Sequence, residues 1–122
     1  MTKKLKFAQV DAFTITPFEG NPCAIIYNAD NLTSLEMLAI AREMNLSETS
    51  FILKSSKADF RFRYFTVAEE IPLAGHPTIA TVHSLIEEGF ICKDTTKISI
   101  ELQVGIIEVS ILHDDEGVVI SM

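Results

Sequence analysis

Positive charge, cysteine and long apolar runs are scarce in this sequence, and each scarcity removes a class of function. Lysine and arginine total 10 against 17 aspartates and glutamates, a formal charge of −7 over 122 residues. An electrostatic nucleic-acid binder needs a clustered basic surface. The only basic knot is Lys3, Lys4 and Lys6, a solvated leader, so no nucleic-acid partner is expected. The acidity points to solubility rather than to a partner. The two cysteines, Cys23 and Cys92, stand far apart and match no metal or redox spacing. Both are expected to be buried packing residues in a reducing, cytoplasmic setting. The longest stretch free of Lys, Arg, Asp and Glu runs from Ile71 to Ile86. It holds two prolines, a glycine and two histidines, too short and too polar for a membrane span. The N-terminus turns polar at Gln9 and Asp11, so no signal-peptide core forms. No phosphate loop, zinc spacing or Gly-x-Ser-x-Gly elbow occurs, and neither metal nor cofactor is expected.

Apolar residues make up 48% of the chain, enough for one real core but not for two independent ones. Residues 7–14 alternate as a strand, ended by the turn signals of Thr16-Pro17 and Glu19-Gly20-Asn21-Pro22. Cys23 to Tyr27 is a short apolar strand, followed by a loop from Asn28 to Asn31. Thr33 and Glu36 form a capping-box pattern. Behind it a helix with Leu35, Leu38, Ala39, Ala41, Arg42 and Met44 on its inner face stops near Asn45. Ser50 to Lys54 and Phe60 to Thr66 read as strands, with Phe60, Phe62 and Tyr64 on one face. A second helix runs from about Pro77 to Glu88 and is stopped by Gly89; Pro77 suits a first helical turn. Its first ten residues carry no charge, so it is expected to be enclosed on most sides. Alternation over residues 98–104 and 107–111, a polar hairpin loop at His113 to Gly117, and an apolar run from Val118 to Met122 complete the inventory. About seven strands and two helices, one wrapped by sheet, make an α+β domain.

Two places could carry chemistry. Glu48 sits where the first helix hands over to a strand, and alternation puts it on one face with Ser50 and Ile52. If that face is the core, Glu48 is a desolvated carboxyl suited to moving protons near neutral pH; otherwise it is an edge glutamate in water. The second place is Ala74-Gly75-His76-Pro77-Thr78. The unpaired N–H groups and dipole of a helix start form a carboxylate site, and His76 can add a donor or relay a proton. The plainer reading is a helix cap with His76 at the surface. His83 lies about 10 Å further along the helix, too far to share a metal ion with His76. It is expected to be a hydrogen-bonded core histidine, His113 a loop residue, and Arg61 and Arg63 solvent-facing.

Val10-Asp11-Ala12-Phe13-Thr14, then Phe18-Glu19-Gly20-Asn21-Pro22-Cys23-Ala24, then residues 40–51 from Ile40 to Phe51, and finally Phe65-Thr66 with Glu70-Ile71-Pro72-Leu73-Ala74-Gly75-His76-Pro77-Thr78 resemble, in order, the signatures of the phenazine-biosynthesis PhzF-like family. A hot-dog thioesterase also wraps strands round a helix but would not produce these four motifs in series. The family is similar in fold to diaminopimelate epimerase and proline racemase, with two similar domains, each a curled mixed sheet around a central helix, facing each other across the active site. The resemblance implies that the helix from Pro77 is such a central helix. It implies that Glu48 is the catalytic acid/base, that Gly75 and His76 line the substrate site, and that Thr78 begins the helix beside it. It implies cofactor-free proton transfer on a small carboxylate-bearing molecule, such as isomerisation of a dihydro-hydroxyanthranilate. The related racemases carry a catalytic cysteine where this sequence has Ala74, so a two-thiol mechanism is excluded at that position. The 122 residues match only the family's N-terminal domain, and the second domain, with the facing wall of the cleft, is expected to be absent. A homodimer or a separate C-terminal-domain chain could cover the bare surface. The alternative is a non-catalytic domain acting as a small-acid-binding or dimerising module.

Overall fold

A computed structural model describes residues 6–12, 21–92, 94–114 and 117–121. They form strands β1 (Lys6–Ala12), β2 (Asn21–Tyr27), β3 (Glu48–Leu53), β4 (Phe60–Phe65), β5 (Glu70–Ile71), β6 (Lys97–Leu102), β7 (Gly105–Asp114) and β8 (Gly117–Ser121). Helix α1 spans Ser34–Met44 and helix α2 spans Gly75–Glu87. One sheet holds all eight strands in the order β1-β2-β3-β4-β6-β7-β8, with the short β5 paired to β4. The β2–β3 and β4–β6 pairs are parallel and the rest antiparallel. The two parallel pairs are those whose connections contain α1 and α2, since a parallel neighbour needs a crossover. Both end strands, β1 and β8, pack against α2. The sheet therefore curls around that helix, as the enclosed, uncharged α2 sequence predicts.

Strand alternation sorts the side chains into two cores. Cys23, Ile25 and Tyr27 of β2, Ile52 of β3 and Phe62 and Tyr64 of β4 pack with Val82, Leu85 and Ile86 of α2. On the opposite face Ile26, Phe51 and Phe65 pack with Met37 and Ala41 of α1. The capping box is formed: the Thr33 hydroxyl accepts the Glu36 N–H at 3.1 Å, and Glu36 accepts the Thr33 N–H at 2.9 Å. Asn45 ends α1 in the left-handed region at φ 53°.

The structure corrects several expectations. Of the expected inner face of α1, Ala41 is buried and Leu38 and Met44 are partly buried against the outer core, joined by Met37 and Ile40, whereas Leu35 is 80% exposed and Ala39 and Arg42 are exposed as well. This helix packs on the outer face of the sheet against β3 and β4. The loop after Tyr27 contains a 3-10 turn, Ala29–Asn31, entered through Asn28 at φ 55°. β3 begins at Glu48 rather than Ser50, and β5 is too short to leave a pattern in the sequence. β7 runs through His113 to Asp114, so the expected hairpin loop is shorter and His113 is a strand residue. Phe13, Thr14 and the turn signals at Thr16, Pro17, Glu19 and Gly20 lie outside the described residues. Among the described residues no helix is long and apolar enough to cross a membrane.

Candidate active site

The αL cap at Asn45 turns the chain off α1 and delivers Glu48 as the first residue of β3. In the parallel β2–β3 register Glu48 lies opposite Cys23. Its side chain is half-buried, and Oε2 is enclosed with no hydrogen-bond partner among the described residues. Neither reading left open by the sequence is met in full: one carboxylate oxygen is desolvated while the residue still reaches the surface. An enclosed oxygen without a donor is costly, and such orphans in native folds call for an explanation such as a bound group.

The other candidate lies at the start of α2. Ala74 is the N-cap in extended conformation and brings no side-chain cap of its own, and no acidic residue lies in the first turn. The N–H groups of Gly75 and His76 thus open the helix without the acceptor that Ser, Thr or Asp would provide. Gly75 is exposed, and a Cβ built on it meets nothing within 4 Å. The fold's own packing does not demand glycine there, which fits a backbone kept bare for a ligand's close approach. The His76 backbone is in the helix; its side chain lies outside the described residues. Thr78 is buried, and its hydroxyl donates to the Ala74 carbonyl at 2.7 Å.

Three hydroxyl pairs join α2 to the sheet. Tyr64 bonds Thr78, Thr81 bonds Ser50 at 2.9 Å, and Tyr27 bonds Ser84. Of these three helix hydroxyls the sequence pointed only to Thr78, through the family resemblance. Their i, i+3, i+6 spacing was the signal, because it places them on one stripe of the helix. The pairs also give the direction of α2: from Ser50 the strand reaches Glu48 in about 7 Å, and from Thr81 the helix reaches Gly75 in about 9 Å. The carboxylate and the helix start therefore run out at the same end of the fold.

Cys23 faces this end as well. Burial pushes its thiol from 9.0 up to about 12, the nearby Glu48 carboxylate adds to the rise, and a hydrogen bond from the Ser50 backbone opposes it. The thiol stays protonated at neutral pH, so Cys23 offers no thiolate here. A stability consequence follows. Between pH 9 and 12 the unfolded chain loses this proton and the folded chain keeps it, so the unfolded state binds fewer protons and stability falls as pH rises. Below about pH 8 the contribution is complete. Urea titrations are expected to show an alkaline slope of at most about 1.4 kcal/mol per pH unit from this group. The slope is reduced in Cys23→Ala, and what remains includes Tyr64, whose phenol is also raised by burial. An unchanged slope would show that Cys23 ionises alike in both states.

A family profile described as phenazine biosynthesis-like protein matches residues 10–122. The chain belongs to that family. "Antisense-enhancing sequence 1" of Schizosaccharomyces pombe is 43% identical over 107 residues, covering 86% of this chain and 36% of its own length. Trans-2,3-dihydro-3-hydroxyanthranilate isomerase of Pseudomonas chlororaphis is 40% identical over 111 residues, covering 90% of this chain and 38% of its own. The crystal structure of a PhzF-family phenazine biosynthesis protein from Bacillus anthracis superposes with a TM-score of 0.87 at 39% identity, over 97% of this chain and 40% of that one. The chain thus spans about two-fifths of the length of these relatives.

Within this phenazine biosynthesis-like fold the remaining sequence expectations fall away from the site. His83 is no core histidine: it is half-exposed on α2 and pairs with Glu87 one turn on, at 3.4 Å. His113 bonds the Thr95 carbonyl at 3.1 Å. Arg61 is exposed as expected, but Arg63 is largely buried. It forms a bidentate pair with Glu70 at 2.7 Å and a bond to Ser34 at 2.9 Å, tying the β4–β5 turn to α1. Cys92 is exposed rather than packed. A cavity of about 290 Å³, lined by Tyr27, Ile52, Phe60 and Phe90 among others, opens at the C-terminal end of α2. None of Glu48, Gly75 and Thr78 lines it, so the hollow and the candidate site are separate. Among the described residues no three His, Cys, Asp or Glu side chains gather as metal ligands would.

Proposed function

We propose that the chain provides the acid/base wall of an isomerase site that moves a proton on a small carboxylate-bearing molecule. The observation that carries this reading is the enclosed, unpartnered Oε2 of Glu48 at the same end of the fold as the uncapped start of α2. Glu48 takes a proton from a carbon next to an unsaturated or carboxyl-bearing group and returns it at another carbon. The N–H groups of Gly75 and His76, with the positive end of the helix dipole, hold the substrate's carboxylate or the charge that develops. The His76 imidazole serves as an added donor or proton relay. The reaction is positioning plus proton transfer and calls on no group beyond these side chains and backbone donors.

Trans-2,3-dihydro-3-hydroxyanthranilate, the compound in the name of the Pseudomonas relative, has the required carboxylate. Because the chain spans about two-fifths of its relatives, a second copy supplies the facing wall in this proposal. That wall excludes water and sharpens the electrostatics of the site. The same fraction favours a second reading, a small-acid-binding or dimerising module without turnover.

One experiment separates them: the chain is incubated with that compound in D2O and followed by NMR. Isomerisation with deuterium incorporation is the expected result, with a rate rising as the square of chain concentration if two copies form the site. Shifts at Gly75 and its neighbours without deuterium would favour the binding module. Neither shifts nor deuterium would overturn both readings for this compound class.

A further inference from the structure

We infer that Tyr64 and Ser50 are positioning residues that lock the start of α2 in register with Glu48; the functional part of this inference rests on the acid/base reading above. It follows from counting protons. A threonine hydroxyl has one hydrogen to donate. Thr78 donates its hydrogen to the Ala74 carbonyl at 2.7 Å, so in its bond with Tyr64 the phenol is the donor. Thr81 lies against both the Pro77 carbonyl and the Ser50 hydroxyl. A carbonyl only accepts, so Thr81 donates to Pro77 and Ser50 donates to Thr81.

The two chains have the same form. A sheet hydroxyl donates to a helix threonine, which donates to the carbonyl four residues back. Threonines bonded backward in this way loosen and bend a helix when left alone. Here each is held from the sheet side, and the two carbonyls they reach belong to the N-cap and first turn of α2.

The donors are also matched to each other. Ser50 and Tyr64 are direct partners in the β3–β4 register, while Thr78 and Thr81 stand about one turn apart. Two cross-strand neighbours therefore grip two successive turns. Apolar packing leaves a helix some freedom to slide or rotate, because it is non-directional; hydrogen bonds at both turns remove that freedom. Ser50 is two residues from Glu48 on the same strand and face, so the grip carries through the strand to the carboxylate. All four hydroxyl residues are buried, where water does not readily replace a lost partner.

The test uses Tyr64→Phe, Thr78→Val and Thr78→Ser. Amide exchange in the intact chain is the first readout. Tyr64→Phe and Thr78→Val are expected to speed exchange of the N–H groups of residues 78–81 about tenfold relative to those of β3 and β6, while Thr78→Ser restores protection. The second readout is kinetic. Tyr64→Phe is expected to lower kcat roughly 10–100-fold with little change in KM and the same pH profile. It should add no further loss in a Glu48→Gln background, since a misplaced amide is no worse than a placed one. Uniform loss of protection across the fold, or losses that multiply in the double variant, would reduce Tyr64 to a core residue and overturn the inference. If the parent chain shows no turnover, the acid/base reading fails, and the exchange data alone decide whether the lock exists.

Discussion

Glu48→Gln is expected to lower isomerase turnover roughly 10²–10⁴-fold, the contribution typical of a positioned general acid/base. The amide has the carboxylate's size and keeps a polar group at the half-buried start of β3, so the fold persists. It cannot accept a proton from carbon. It also removes a negative charge from the end of the site where an anionic substrate is held, so KM or Kd should stay equal or fall while kcat collapses. That split is the informative result, since an unfolded or distorted site would lose affinity together with rate. Glu48→Asp keeps the carboxylate but withdraws it by one methylene, and an intermediate loss is expected. Steady-state kinetics with circular dichroism as a fold control decide the matter. Turnover within a few-fold of the parent in Glu48→Gln would remove this residue from the mechanism.

Leu85→Ala is expected to produce the largest loss of stability. Leu85 is 1% exposed, on the helix that the sheet encircles. Truncating such a leucine costs about 3–4 kcal/mol through lost transfer energy and the cavity left behind. Against a total of roughly 5–15 kcal/mol, that is a large share, and thermal unfolding should shift down by roughly 10–20 °C. Leu35→Ala is the internal control, the same change on a helix at a residue 80% exposed, with an expected effect within about 0.5 kcal/mol. Equal shifts for the two variants would contradict the burial described here.

These two leucines also mark what the sequence made legible. Charge patterning identified α2 as the enclosed helix, because ten residues without a charge cannot form a solvated face. The capping box and Asn45 bounded α1 because caps are local chemistry. The burial of Leu35 was misjudged for a different reason: periodicity tells that a helix has an inner stripe, but the neighbouring element decides how wide it is. Glu48 and Gly75 could be named from their places at element ends. That Cys23 faces Glu48 depends on the β2–β3 pairing, and that Tyr64 reaches Thr78 on how α2 docks against the sheet. Arg63 shows the same limit. Alternation placed it opposite Phe62 and Tyr64, which for a one-sided sheet means solvent, but this sheet is covered by α1 on its outer face as well, and Glu70 supplies the counter-charge.

The order of strands in space, β1-β2-β3-β4-β6-β7-β8, repeats their order along the chain apart from β5. Such a topology keeps pairing partners close in sequence, and domains rich in local contacts reach their transition states quickly. The outer core is built from residues between Ile26 and Phe65, so its last member emerges from the ribosome before α2 does. The first four strands and α1 can therefore assemble during synthesis as a provisional sheet. α2 then arrives to fill the concave face, and the last three strands wrap it in turn. In this sequence of events Glu48 is already seated on β3 when α2 docks.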